Sequence, residues 1–167
     1  QLGFAVTLLV ANPNQPYKSL RELIDYAKAH PGKISYGSSG TGVAPHLAAE
    51  QFGQVTGTRY NHIPYNASHL PIQSLLAGHT NSSWAAVQPV LAFLQDGRLR
   101  ALAVTGETRS NLVPDVPTFE EAGVKGMKSD VWIAAWAPAN LPAPIAARLN
   151  AELMKIMAQP EIRKKVL

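Results

Sequence analysis

The 167-residue chain contains no cysteine. Disulfides, iron–sulfur clusters and Cys-ligated zinc are therefore excluded, while the redox compartment is left open. No apolar run approaches the ~20 residues of a membrane span; the apolar segment at residues 4–10 is far too short. Aromatic residues are scarce at 7%, and the basic residues are scattered except for Arg163-Lys164-Lys165. A nucleic-acid partner needs a basic face interleaved with aromatics, so none is expected; the basic run is read as the complement to a helix C-terminus. Charged residues make up only 16% against 46% apolar, a globular rather than a disordered composition. The net charge of +4 permits anionic partners. The first residues carry neither a basic flank nor a small-residue cleavage site, so no signal peptide is read here. On that reading the protein is either cytoplasmic or the chain begins downstream of its signal.

What is present alternates strand with helix. Residues 4–10 read as a strand buried on both faces. Ser19-Leu20-Arg21-Glu22 is a capping box, followed by Leu20, Leu23, Ile24 and Ala27 at helical spacing. A short strand at 34–36 runs into Gly37-Ser38-Ser39-Gly40-Thr41-Gly42 and then a helix near 45–52. Further strands are expected at 59–65, 81–86, 99–105 and 131–137, and helices at 70–76, 89–94 and after the second capping box, Thr118-Phe119-Glu120-Glu121. Ile145, Leu149, Leu153, Ile156 and Met157 trace one face of a long helix. This order predicts an α/β fold with a mixed sheet flanked by helices. In such sheets ligands sit beyond the carboxyl ends of strands.

The glycine loop after the strand at 34–36 is accordingly the leading candidate site. Free N–H groups and the positive end of a helix dipole suit a carboxylate or phosphate. The loop is neither a Walker A motif nor G-x-G-x-x-G, and a tight turn with capping hydroxyls is the competing reading. Ser39 lacks the G-x-S-x-G spacing of a serine hydrolase. His46, His62, His69 and His79 show no H-E-x-x-H or H-x-H pattern, so neither a metal site nor a catalytic set is expected. His46 lies in the first turn of the helix that the loop opens and is placed to face a ligand. Trp84 is read either as the floor of a pocket or as core. Trp132 and Trp136 share a strand face and are read as core or interface. Glu120 and Glu121 belong to capping rather than to acid–base work.

An ordered set of segments carries a resemblance. These are Lys18-Ser19-Leu20-Arg21-Glu22-Leu23-Ile24, Pro31-Gly32-Lys33-Ile34-Ser35-Tyr36 with the glycine loop, Pro45-His46-Leu47-Ala48, and His62-Ile63-Pro64-Tyr65. The order continues with Gly97-Arg98-Leu99-Arg100-Ala101-Leu102-Ala103-Val104-Thr105, Pro114-Asp115-Val116-Pro117-Thr118 and Glu121-Ala122-Gly123. Together they resemble the extracytoplasmic solute-binding proteins of tripartite tricarboxylate transporters, the Bug family. The resemblance implies a type II periplasmic-binding-protein lobe, a periplasmic location, transporter subunits in the membrane as partners of the full-length protein, and no cofactor. It implies a non-enzymatic protein that closes on a small carboxylate, with the family's ligand loop falling on Ser38, Ser39, Gly40, Thr41, Gly42, Val43 and Ala44; His46, Trp84 and Ala85 complete the expected ligand-binding set. The family often has Phe-Asp-Asn where this chain has Trp84-Ala85-Ala86, and Pro-Tyr-Lys-Gly where it has Pro64-Tyr65-Asn66-Ala67. Without that acidic residue, plain carboxylates are favoured over amino acids.

The expected organisation is a hinge strand and linker at 1–12, a second ligand-binding lobe at 13–128, and a return strand and helix at 129–167 belonging to a partly missing first lobe. The segments 4–10 and 131–137 are expected to pair antiparallel. Such a chain is expected to bind weakly alone and to self-associate. The alternatives are the ligand-sensing domain of a transcription regulator, or a small α/β enzyme.

Overall fold

A computed structural model describes residues 3–127, 129 and 131–162. The basic run at 163–165 lies outside them. The chain divides into two compact units, residues 6–129 and residues 1–5 with 130–167.

The larger unit is built on a five-stranded sheet of order β4-β3-β5-β2-β6. Its strands are β2 (Thr7–Ala11), β3 (Ser35–Ser38), β4 (Asn61–Pro64), β5 (Ser82–Ala86) and β6 (Arg100–Val104). β3 runs parallel to β4 and β5, whereas β2 is antiparallel to both β5 and β6. Four strands therefore point one way and β2 alone points back. β2 is buried on both faces because its side chains alternate between two cores. Leu9 and Ala11 join α1 (Leu20–Ala29) and α2 (Ala44–Thr56) through Leu20, Leu23, Ala48 and Phe52. Leu8 and Val10 join α3 (Leu70–Leu76) and α4 (Val87–Gln95) through Ile72, Leu75, Val87 and Val90.

The apolar run at 4–10 is two strands rather than one. β1 (Gly3–Ala5) breaks off at Val6, and β2 enters the large sheet. The boundary between the units falls at Val6, earlier than the sequence suggested, because β2 is a central strand of the lobe's own core. In the smaller unit, β1 pairs antiparallel with β7 (Val131–Ile133), Gly3 opposite Ile133 and Ala5 opposite Val131. This is the expected pairing, though β7 is shorter than the expected strand. Trp136 lies beyond it and its ring meets Trp132 edge-on at 5.7 Å. Both rings are exposed, Trp136 at 82%, so neither is core within the described residues. α5 (Ala143–Met157) likewise exposes Ile145, Leu149 and Ile156.

The second capping box forms, but no α-helix follows it. Glu121 N–H donates to Thr118 Oγ1 at 3.1 Å and Thr118 N–H to Glu121 Oε2 at 2.8 Å. Residues 119–123 then make only a turn. Both side-chain bonds are local, and Gly123, with φ of 88°, leaves the helical region at once.

Candidate functional site at the carboxyl end of the sheet

Because β3, β4, β5 and β6 point one way, Ser38, Pro64, Ala86 and Val104 end at one edge of the sheet. β2 begins at that edge, with Thr7 opposite Ala86. Three helices start there, α2, α3 and α4, and none has a side-chain N-cap hydrogen bond. α1 starts after β2, at the opposite edge, and it is capped: Glu22 N–H donates to Ser19 Oγ at 3.2 Å. The contrast places the uncapped helix starts on the side where strand direction puts a ligand.

The glycine loop spans the gap between β3 and α2. Gly42 has φ of 82°, a left-handed conformation that costs an L-residue roughly 1–2 kcal/mol, and no other atom approaches its Cβ position within 4 Å. Thr41, Gly42 and Ala44 are exposed, and Ser39, Gly40 and Val43 are half-buried. Ser38 is different. It is 1% exposed, and its hydroxyl donates to Gly40 O at 2.8 Å, accepts from Gly40 N–H at 3.3 Å and meets His62 Nε2 at 2.6 Å. Its side chain orders the loop from within rather than reaching a ligand.

His46, in the first turn of α2, accepts the Gly42 N–H on Nδ1 at 3.1 Å. Its ring lies 4.3 Å from that of His62, and His62 stacks on Tyr36 at 4.9 Å. Tyr36 in turn donates its hydroxyl to Glu50 Oε1 at 2.9 Å. Burial lowers the proton affinity of His62, the neighbouring His46 lowers it further, and Glu50 opposes both. Burial, assisted by Glu50, pushes the Tyr36 phenol far up. The structure therefore brings His46 to the loop and adds His62, which the sequence did not single out. The signal for His62 is the β3–β4 register, which sets it opposite Tyr36.

Trp84 is a core residue. It is 4% exposed, stacked on Phe119 at 5.4 Å and 6°, with its edge on Phe52 at 5.7 Å. Its place in register, opposite Leu9, turns it toward the α1–α2 core. Ala85 turns to the other core. Neither side chain faces the edge where the loop lies; the residue of β5 that does emerge there is the exposed Ala86, followed directly by α4. A separate groove of about 590 Å³ is lined by Leu94, Leu99, Arg100, Val113 and Val116. It lies toward the start of β6, away from the loop.

Sheet order, strand direction and a glycine loop meeting uncapped helices define a periplasmic-binding-protein-like lobe of type II. The family model described as the tripartite tricarboxylate transporter family receptor matches residues 1–167, and the chain belongs to that family, whose members are periplasmic, non-catalytic solute-binding proteins. A UPF0065 protein in the gbd 5′ region of Cupriavidus necator is 36% identical over 159 residues, covering 95% of this chain and 48% of that protein. BugT of Bordetella pertussis is 34% identical over 149 residues, 89% of this chain and 46% of that protein. The chain thus spans about half the length of the curated relatives it matches. Among solved structures, R. palustris Rpa4515 with adipate superposes with a TM-score of 0.90 at 29% identity, covering 98% of this chain and 55% of that one. MatC from Rhodopseudomonas palustris with bound malate gives 0.89 at 25% identity over the same shares, 98% and 55%.

Proposed function

We propose that this chain supplies one wall of a site that captures a small carboxylate in a periplasmic receptor of a tripartite tricarboxylate-type transporter. The observation that carries the reading is the pair of helices α2 and α4, both uncapped, starting beside the glycine loop at one edge of the sheet. The Gly40 and Gly42 N–H groups are engaged by Ser38 and His46, so the N–H groups of Ser39, Thr41, Val43 and Ala44 and the start of α4 stabilise the anion, with the hydroxyls of Ser39 and Thr41 assisting. The loop itself contains no Lys or Arg, so backbone donors carry the charge recognition. The adipate and malate held by the two solved relatives belong to the same chemical class.

In this reading residues 6–129 are the binding lobe, and residues 1–5 with 130–167 connect to a second lobe that completes the enclosure. Membrane subunits of the transporter are the partners of the whole receptor. Titration of the ¹⁵N-labelled chain with malate and with adipate tests the lobe directly. Amide resonances of residues 39–44 and of Val87 are expected to move in a saturable way, and the neutral diamides are expected to leave them in place. Resonances at the loop that stay fixed with both carboxylates would refute the assignment.

A further inference from the structure

We propose that His46 and His62 are positioning residues of the glycine loop: a closely packed pair of neutral imidazoles that fastens the loop at both ends, His62 through Ser38 and His46 through the Gly42 N–H, so that protonation of His46 unfastens it. The proposal rests on the reading of this loop as the carboxylate contact.

The hydrogen-bond network fixes where the protons are. Ser38 has one hydroxyl proton, and Gly40 O, 2.8 Å away, can only accept it. Were that proton turned to His62, two lone pairs would face each other at 2.8 Å. His62 Nε2 must therefore donate to Ser38 Oγ across their 2.6 Å contact. The Gly40 N–H, at 3.3 Å, provides the second bond that Ser38 Oγ accepts. With one donor and two acceptor bonds made, this hydroxyl is saturated. At the other end of the loop, the Gly42 N–H points at His46 Nδ1 from 3.1 Å, so Nδ1 is unprotonated and the neutral ring carries its proton on Nε2. His46 acts here like the third residue of a capping box, reaching back to a free amide, with an imidazole in place of the usual carboxylate.

A proton on His46 Nδ1 replaces an acceptor by a donor facing the Gly42 N–H. The bond is lost, and open space surrounds the Cβ position of Gly42, which keeps its left-handed conformation without packing there. The charge also appears in a ring 4.3 Å from that of His62. The titratable groups around the pair are Tyr36 on β3, whose ring stacks on His62, His62 on β4, and Glu50 one turn further along α2, engaged by the Tyr36 hydroxyl. Burial and His46 together already disfavour a charge on His62. The neutral pair is the state in which the Gly40 and Gly42 N–H groups both keep their side-chain acceptors.

The test follows Gly42 amide exchange and the ¹⁵N shift of His46 Nδ1 from about pH 8 to about pH 5, the interval in which imidazoles titrate. In the wild-type chain Nδ1 is expected to be unprotonated at the upper end. Protection of Gly42 should then fall roughly two- to tenfold toward the acid end, the range that one neutral hydrogen bond gives. His46→Asn sets an amide oxygen where Nδ1 stood and is expected to keep the protection at every pH; His46→Ala should lose it at every pH. His62→Gln, which preserves a donor toward Ser38, should retain the Gly42 response. The wild-type to His46→Asn affinity ratio for malate, in which titration of malate itself cancels, should fall with pH. A protonated Nδ1 at pH 8, pH-independent protection in the wild type, or an affinity ratio that rises in acid would overturn the proposal. If instead Gly42 responds as expected but malate moves no loop amide at any pH, the fastening stands and the carboxylate reading fails.

Discussion

Replacing Trp84 separates a core residue from a pocket residue. Trp84→Phe keeps an aromatic ring between Phe52 and Phe119 but shortens it, and the parallel stack on Phe119 at 5.4 Å is lost or displaced. The two side chains differ in buried surface by about 50 Å², which at ~25 cal/mol per Å² is about 1.3 kcal/mol. Loss of a good aromatic pair adds ~0.5–1 kcal/mol, for a total of about 2 kcal/mol. Against a typical domain stability of ~5–15 kcal/mol, the variant should still fold. The midpoint of urea unfolding, followed by circular dichroism, should drop accordingly, with Tm lower by roughly 4–8 °C. The tryptophan emission remaining in the variant comes from Trp132 and Trp136, both exposed, and should be red-shifted relative to wild type. Malate-induced shifts in the glycine loop should survive, because Trp84 turns into the α1–α2 core. Unchanged stability together with abolished malate shifts would show that the indole belongs to the site and that its placement in the core is wrong.

Gly37→Ala puts a Cβ at 3.1–3.2 Å from Pro71 Cβ, Pro71 Cα and the Tyr65 ring, the last held by its 2.6 Å bond to Ser74. Since rigid proline cannot yield and the usual Gly→Ala gain in chain entropy is small, a net loss of ~1–2 kcal/mol in urea unfolding is expected, and a stabilised variant would contradict the close approach of β3 to α3. His62 is held neutral by burial, so its contribution to stability is complete above its unfolded value near 6.5 and is lost as pH falls through its lower folded value. Urea midpoints measured between pH 7.5 and pH 5 should accordingly fall less steeply for His62→Gln than for wild type; equal slopes would remove His62 from the acid response. The exposed Ile145, Leu149 and Ile156 of α5 are expected to drive concentration-dependent self-association in sedimentation velocity. Leu149→Glu should reduce it, and a monomer at all concentrations before mutation would end that expectation.

How far the sequence reveals this molecule depends on whether a feature is local. α1 is readable because its apolar spacing and its Ser19 cap lie within one short segment, and both are present. The glycine loop is readable for the same reason. Other features depend on partners distant in sequence. The run at 4–10 is apolar but for Thr7, yet its first part pairs with β7 and its second crosses a different sheet, a division that hydrophobicity alone does not mark. Trp84 could be core or pocket until the register with Leu9 decided which face it takes, since a slip of one residue would reverse it. The His46–His62 pair exists only because β4 lies beside β3. The start of α4 is hidden in the sequence for a different reason. Helix beginnings are found in sequence by their capping residues, and Ala85-Ala86-Val87 offers none. A helix that leaves its first amides to a ligand is marked by what it lacks. α1, on the far edge of the sheet, satisfies its own amides with a side chain, whereas α2 and α4 do not. Capping supports α1 locally; in the proposed function, the starts of α2 and α4, which lack a side-chain cap, form the anion-binding wall of the lobe.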